Sequence, residues 1–396
     1  SLFMLALARK ELSACSFRLF IGEKPNIIPV MNEDLSTETT EEELNEAFVD
    51  EWGVKYSKDG RKLLKVPREL SGAYSVKEGT RIICDEAFWW CESLPDIVIP
   101  TSVTSIGDSA FSWCRSLSEI VIPSSVTSIG DRAFEDCSSL KYISIPKSVI
   151  GLNGNPFAEW NGKLECLSPN FVYEDDILFN KDKSRIISFR KQNIKSYVIP
   201  SSVTSIGDYA FWYCHSLSEI VIPSSVTSIG DHAFSDCYSL SEIVIPSSVT
   251  SIGDSAFSSC NSLSEIVIPS SVTSIGDSAF SDCYSLSEIV IPSSVTSIGD
   301  NAFYGCDSLS EIVIPSSVTS ICDSAFSDCC SLSEIVIPSS VTSIGKYAFY
   351  GCDSLSEIVI PSSVTSIGDS AFYKCKFPDN LELELISRFG YKIFSS

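Results

Sequence analysis

The chain has 396 residues, of which 51 are acidic and 28 basic, so its formal net charge is −23. An acidic excess of this size repels phosphate backbones, and nucleic acid is therefore excluded as an expected partner. No apolar run approaches the roughly 18 to 20 residues that cross a bilayer, so the sequence predicts a protein that does not span a membrane.

Residues 1–53 are predicted to form an N-terminal helical cap region. The segment Leu12–Cys15 resembles a lipoprotein processing site, but the charged residues 9–11 follow the apolar stretch, whereas a signal would place its charges before it. An amphipathic cap helix is the preferred interpretation, and no intact secretion signal is visible. Further on, Thr40 and Glu43 fit a capping box, which predicts a helix over residues 37–52.

Residues 54–376 are built largely from one 23-residue unit, as in SLSEIVIPSSVTSIGDHAFSDCY at 216–238. A fixed period of this size indicates a solenoid, in which each unit, here called a coil, buries its apolar side only against neighbouring coils. The period is marked by Pro100, Pro123, Pro146, Pro223, Pro246, Pro269, Pro292, Pro315, Pro338 and Pro361. The sequence therefore predicts one elongated repeat domain.

Each coil is predicted to contain one strand and one short helical turn. Residues 217–222 alternate inward and outward at the period of a strand, and stacked coils would pair these strands into a parallel sheet. Pro223 ends the strand because it has no N–H to donate. Asp231 is predicted to cap a helical turn that points Phe234 and Cys237 inward.

Two polar hairpins and a last helix break the repeat. A β-hairpin is predicted from 176–182 to 185–189, within an interruption near 150–199, and a second copy precedes the first regular coil at 54–67. Residues 377–396 are predicted to form a C-terminal helical cap, with Asp379 as its N-cap and Gly390 after its last turn. This helix would seal the last coil.

The sixteen cysteines are placed more like core residues than like a disulfide framework. Eleven of them occupy one slot of the coil, where a buried free cysteine acts as a small hydrophobe. Zinc is the alternative, but one cysteine per coil cannot surround the ion tetrahedrally, so no metal is expected. The slot holds Cys91, Cys114, Cys137, Cys214, Cys237, Cys260, Cys283, Cys306, Cys329, Cys352 and Cys375. Among the other five, Cys330 is predicted to be exposed and oxidisable.

The pattern L-x-x-I-x-I-P-x-S-V-x-x-I-G-x-x-A-F-x-x-C resembles the repeat of BspA-type (Treponema-like) leucine-rich repeat proteins over roughly residues 54–376. The resemblance implies an α/β-type repeat solenoid: a curved array with a parallel β-sheet on one face and short helical or irregular turns on the other. Similar proteins are bacterial and protist surface molecules associated with adhesion, so it also implies a cell-surface or extracellular location. The family pattern contains no catalytic residue to carry over.

The coils differ mainly in four slots: one after the capping aspartate, two after the phenylalanine and one after the cysteine. Aromatic and small residues recur there, which is typical of recognition surfaces. We expect exposed aromatic residues of these slots to form an aromatic stripe on the helical side that contacts a partner, with drift at unconstrained positions as the alternative. The candidate residues are Trp89, Trp90, Trp113, Trp212, Tyr213, Tyr238, Tyr284, Tyr304, Tyr350 and Tyr373.

The outer face of the predicted sheet carries one glutamate per coil beside one valine. Like charges stacked about 4.8 Å apart are unfavourable in isolation. Two interpretations remain open: a solvated acidic face that keeps the sheet soluble, which we prefer, or a track for basic peptides or cations. The glutamate column is Glu119, Glu219, Glu242, Glu265, Glu288, Glu311, Glu334 and Glu357.

The sequence favours a non-enzymatic binding or adhesion protein that recognises a protein or glycan partner. The two histidines, His215 and His232, lie in variable slots and have no distinguished nucleophile beside them, and no cofactor motif is present. A passive spacer or stalk is one alternative, and an intracellular interaction scaffold, suggested by the free cysteines, is another. A monomer is expected.

Overall fold

The computed structural model describes residues 36–191 and 193–395. The predicted cap helix before residue 36, and Cys15 with it, lie outside the described residues. None of the helices in these two ranges is long and apolar enough to span a membrane.

Most coils contribute two strands, which pair in parallel with the equivalent strands of neighbouring coils and form two ladders. The ladder of the predicted strands is divided into sheets of two or three strands, and the other ladder, with the hairpin strands, into sheets of seven, eight and three. Glu219–Val221 pairs in register with the same residues of the next coil, as predicted, and Ser228–Ile229 forms a second ladder that the sequence did not indicate. The Glu–Val ladder comprises Ala73–Ser75, Asp96–Val98, Glu119–Ile120, Tyr142–Ile145, Lys163–Cys166, Ser196–Val198, Glu219–Val221, Glu242–Val244, Glu265–Val267, Glu288–Val290, Glu311–Val313 and Glu334–Val336. The Ser–Ile ladder comprises Ile82–Ile83, Ser105–Ile106, Ser128–Ile129, Gly151–Leu152, Ser205–Ile206, Ser228–Ile229, Ser251–Ile252, Ser274–Ile275, Ser297–Ile298, Ser320–Ile321, Ser343–Ile344 and Ser366–Ile367.

Antiparallel hairpins begin two arrays of coils, the first array at residues 73–168 and the second at 196–376. The N-terminal hairpin has strands Phe48–Val49, Lys55–Tyr56 and Lys62–Lys65, and the junction hairpin has Phe171–Glu174, Ile177–Asn180 and Arg185–Phe189. The last strand of each hairpin pairs in parallel with the first Ser–Ile strand of the array that follows. The hairpin before each array therefore provides the edge strand with which the first coil pairs.

A continuous stack of phenylalanine rings fills the centre of each array. Phe280 lies 5.5 Å from Phe257 and 5.6 Å from Phe303, with the rings nearly parallel. The Cys260 thiol beside the stack donates to the Phe234 carbonyl at 3.3 Å. Burial raises the pKa of this thiol well above its ordinary value. The cysteine slot is thus part of the core, as the sequence predicts, with a hydrogen bond in addition.

The turn after the Ser–Ile strand is irregular, so the predicted helical turn is wrong. Two residues of each turn have left-handed backbone, for example His232 at φ 53° and Asp236 at φ 58°. These dihedrals lie outside the right-handed region that an α-helical turn requires. The inward direction of Phe234 and Cys237 is nevertheless as predicted, since both are fully buried.

The aspartate before this turn links coils instead of capping a helix. The Asp231 carboxylate accepts a hydrogen bond from the backbone N–H of Asp254 in the next coil at 2.9 Å. In most coils a glycine precedes this aspartate, and the coils approach closely there: a Cβ on Gly253 would lie 2.4 Å from Asp231 Oδ1, although Cys322 fills the same slot before Asp323. At Lys346 the side chain has no carboxylate, so the column of aspartate acceptors stops before Asp369.

Both ends differ from their predicted helices. The first helix spans only Glu41–Asn45; its Thr40 capping box is present, but Phe48 and Val49 continue as a strand. The last helix spans Asp379–Phe389 with Pro378, not Asp379, at the N-cap position, and a 3₁₀ helix follows at Tyr391–Phe394. Leu385 and Ile393 are buried against the last coils and cover this end of the core.

Candidate partner-binding site

The aromatic stripe lies on the turn side of the solenoid and is less exposed than the sequence predicts. Trp90 and Tyr213 are each 38 % exposed and Tyr284 is 46 % exposed. The other seven are half-buried: Trp89, Trp113, Trp212, Tyr238, Tyr304, Tyr350 and Tyr373. Where adjacent coils both carry a ring, as at Tyr350 and Tyr373, the coil spacing of about 4.8 Å lets one ring cover part of the other.

The stripe is divided into separate groups of rings. In the first array Trp90 stacks on Trp113, with centroids 5.2 Å apart. In the second array Tyr213 packs edge-on against Trp212 at 5.6 Å and against His215 at 4.3 Å. Tyr350 and Tyr373 stack near the C-terminal end, at 5.3 Å. The structure therefore does not form one continuous recognition surface from the ten predicted residues.

A cleft of about 460 Å³ lies where the two arrays meet and brings Trp113 of the first group together with the second group. We call it the junction cleft. One wall carries Trp113, Arg115 and Asp136 of the first array. The opposite wall carries Trp212, Tyr213 and His215 of the second array, and Trp160 and Arg190 also line it. Residues about one hundred positions apart in sequence thus share one concave surface.

The junction hairpin creates this cleft because it separates the two cores and is buried on both sides. Leu178 and Ile187 belong to the core of the first array. Phe179 and Ile186, one residue along on each strand, belong to the core of the second array. Adjacent residues of a strand point to opposite faces, so the hairpin joins the arrays as a two-sided spacer.

A buried tryptophan and a half-buried arginine hold the last coil of the first array against the hairpin. Trp160 stands where other coils carry the core cysteine, and its indole N–H donates to the Leu140 carbonyl at 2.6 Å. The Arg190 guanidinium lies 4.5 Å from the Trp160 ring and donates to the carbonyls of Trp160 and Gly162 at 2.8 and 2.6 Å. Burial lowers the pKa of Arg190. These contacts give the cleft a rigid base.

The aromatic walls of the cleft are held in place by charged neighbours. The Arg115 guanidinium lies 4.5 Å from the Trp113 ring centroid and pairs with Asp136 at 2.8 Å. Across the cleft, the Trp212 indole N–H donates to Asp236 at 2.9 Å. These contacts fix the orientation of both indoles, and a concave surface lined by oriented aromatic and charged side chains is typical of a ligand-binding site.

The cleft is also rich in carboxylates. Burial, together with the nearby charges of Asp136, Glu135 and Asp236, raises the pKa of Glu159 to about 7. Arg115 is the cation that opposes this shift. Chemically, the cleft offers ring faces, a guanidinium and carboxylates for stacking and hydrogen bonding. Among the described residues, no group of three or more histidine, cysteine or acidic side chains is arranged to hold a metal ion.

Glu159 makes the stability of the junction depend on pH. Its pKa in the folded protein lies above the ordinary value of 4.5, so the folded state binds the extra proton between these two values. Its contribution to stability is therefore present below about pH 4.5 and is lost as the pH rises through about 7. As the pH rises from about 4.5 to about 7, the free energy of unfolding of Glu159→Gln should fall less than that of the parent protein. Urea unfolding at each pH measures this difference. The exposed control Glu69→Gln should follow the parent. Identical pH profiles for parent and Glu159→Gln would contradict this assignment.

Sequence reasoning missed the cleft although signals for it were present. The interruption between Pro146 and Pro200 predicts a hairpin, but nothing in its sequence marks a boundary between two cores. Trp160 follows Cys137 by one 23-residue period and so replaces a core cysteine by a much larger ring. Glu159 and Arg190 carry no sequence signal of their own, since they become neighbours of the cleft aromatics only when both arrays are in place.

Comparisons with known proteins agree with this architecture. Residues 73–171, 186–310 and 273–396 match the family described as "BspA type Leucine rich repeat region", in six copies. No curated protein sequence matches the chain significantly.

Three solved bacterial structures are similar to the chain. A leucine-rich repeat protein from Eubacterium ventriosum is 27 % identical with a TM-score of 0.54, over 79 % of this chain and 85 % of that one. A leucine-rich cell surface protein from Faecalibacterium prausnitzii is 30 % identical with a TM-score of 0.49, and the match covers 69 % of this chain and 76 % of that one. The T. pallidum leucine-rich repeat protein is 31 % identical with a TM-score of 0.43, and the match covers 56 % of this chain and 94 % of that one. The family model matches most of the length of this chain, and the repeated coil and its parallel ladders agree with that match. The chain therefore belongs to the BspA-type leucine-rich repeat family.

Proposed function

We propose that the protein is a non-enzymatic recognition protein that binds a protein or glycan partner in the junction cleft. The observation that carries the proposal is the meeting of Trp113 from one array with Trp212 and Tyr213 from the other across a single concave surface. Large, stiff rings in a cleft supply contact area at a small entropic cost, and the surrounding charged groups supply hydrogen bonds.

The distribution of the other stripe residues supports the same site. Tyr284, Tyr304, Tyr350 and Tyr373 lie in the second array and line none of the described clefts of comparable size. Trp89 and Trp90 continue the first wall outward from Trp113, since Trp90 packs against both of them. A partner seated in the cleft could therefore extend along the first array. A location at the cell surface fits the family and is part of this proposal, with an intracellular scaffold as the alternative.

The test removes one ring from each wall. The full chain is biotinylated and applied to a glycan array and to an array of extracellular matrix and bacterial surface proteins, and each ligand found is measured again with Trp113→Ala/Tyr213→Ala. Loss of two central aromatic anchors is expected to weaken binding about 30-fold or more, because hot-spot rings contribute at least about 2 kcal/mol.

Tyr284→Ala is the matched control, because this ring is also exposed but lies outside the cleft. It should leave affinity within about twofold of the parent, and thermal unfolding should confirm that all variants fold. The cleft proposal fails if the ligands bind the double variant as tightly as they bind the parent protein. If neither the glycan array nor the protein array yields a ligand, the result would instead support a passive spacer.

A further inference from the structure

The outer face of the Glu–Val ladder in the second array is a second surface with an unusual composition. Each strand turns its glutamate and its valine outward and buries the isoleucine between them. The valines are between 47 and 81 % exposed: Val221, Val244, Val267, Val290, Val313, Val336 and Val359. Beside them run Glu219, Glu242, Glu265, Glu288, Glu311, Glu334 and Glu357. We call these two columns together the Glu–Val face.

Six of these seven carboxylates lie in a part of the sequence that contains no basic residue. Between Ser196 and Gly345 the sequence contains sixteen acidic residues and no lysine or arginine. Within the described part of the chain, none of the seven glutamates takes part in an ion pair. Register pairing places three pairs of these carboxylates directly side by side: Glu219 with Glu242, Glu265 with Glu288, and Glu311 with Glu334. The face therefore carries an unbalanced line of negative charge.

Solubility explains the glutamates but not the valines. A solvated sheet face is normally polar at its outward positions. Here seven consecutive coils each expose one valine on the same face, and clusters of exposed apolar side chains mark interaction sites. The preference for a merely solvating face, which the sequence alone favours, therefore does not account for the surface that the structure shows.

We propose that the Glu–Val face is a docking surface for a basic amphipathic helix of a partner protein. Apolar side chains of the helix would cover the valine column, and lysines or arginines along one flank would pair with the glutamates. Charge complementarity selects a basic partner, since a neutral or acidic segment would leave the carboxylates facing apolar or like-charged groups. This surface is separate from the junction cleft, and neither proposal depends on the other.

The spacing of the columns favours a helix over an extended segment. Successive coils repeat about every 4.8 Å, and a helix presents the same side once every 5.4 Å turn. A β-strand repeats its side chains about every 6.6 to 6.8 Å and falls out of step with the coils much sooner. Seven glutamates span about 29 Å, which a helix of about 19 residues would cover.

The test uses a fluorescent synthetic helix of about 19 residues with leucines on one side and lysines along its flank. Its binding to the full chain is followed by anisotropy at low and at physiological ionic strength. We expect binding to the parent protein, weakened about fivefold or more by Glu288→Gln/Glu311→Gln. Val290→Ser/Val313→Ser should weaken it as well, because apolar contact is lost. Trp113→Ala/Tyr213→Ala should bind the helix like the parent.

Asp307→Asn/Asp353→Asn is the matched control for charge, since it removes two exposed carboxylates of the same array that lie off the sheet. It should change the affinity less than about twofold. The proposal fails if this control weakens binding as much as the glutamate pair does, or if a peptide of the same composition with scrambled order binds equally well. It also fails if sedimentation shows that the protein self-associates and that Val290→Ser/Val313→Ser abolishes this, because the face would then bind a second copy.

Discussion

Phe280→Ala is expected to lower the free energy of unfolding of the second array by about 3 to 5 kcal/mol. Phe280 is fully buried and stacks on a phenylalanine ring above and below, so truncation opens a cavity that its neighbours cannot close. In a solenoid each coil contacts only its neighbours, so the loss is local. The coils beyond the cavity should then unfold separately from the first array.

The positions of the tryptophans make this separation measurable. No tryptophan follows Trp212, so tryptophan fluorescence reports on the first array and the junction, whereas circular dichroism reports on all coils. In urea, Phe280→Ala should shift the dichroism transition while the fluorescence transition stays close to that of the parent. The exposed control Tyr284→Ala should move neither by more than about 0.5 kcal/mol. Equal shifts of both signals for Phe280→Ala would show that the chain unfolds as a single unit.

Substitutions in the junction hairpin should affect different arrays although they are adjacent in sequence. Leu178 is buried in the core of the first array, and Phe179 is buried in the core of the second. We expect Leu178→Ala to destabilise the first array by about 2 to 5 kcal/mol and Phe179→Ala to destabilise the second by about 3 to 5 kcal/mol. Hydrogen exchange, measured separately for each coil, should become faster in the first array for Leu178→Ala and in the second array for Phe179→Ala.

The exposed residue Lys181 in the turn of the same hairpin provides the control. Lys181→Ala removes a surface side chain, so exchange should be unchanged throughout the chain. If Leu178→Ala and Phe179→Ala accelerate exchange in the same coils, the hairpin is part of one shared core and the two-sided spacer is wrong.

The repeated features of the fold were readable because every coil has the same environment. The inward Leu, Ile, Phe and Cys positions recur in almost every unit, and their periodicity alone predicts a solenoid with a parallel ladder. Features that rest on backbone conformation were not readable. The Ser–Ile strand is only two residues long, too short to show alternation. The left-handed position after the aspartate accepts many residue types, among them His232 and Ser255, so composition does not reveal it.

The candidate site was predictable in its residue types but not in its location. Trp113, Trp212 and Tyr213 stood out because variable slots of a repeat are free to carry functional side chains. Their meeting in one cleft depends on the junction hairpin, which sets the separation of the two arrays. The exposed valines of the Glu–Val face were visible in the sequence, but that their column remains uncovered became clear only from the assembled ladder.

The sequence by itself determined the family, the coil and the direction of the core residues, because each of these follows from contacts between neighbouring units that repeat the same pattern. The tertiary structure decided how the aspartates are used, where the two cores end and which aromatic residues face one another. The physical reason is that these properties arise between coils or between arrays, where residues far apart in the chain share one surface and no local periodicity records the contact.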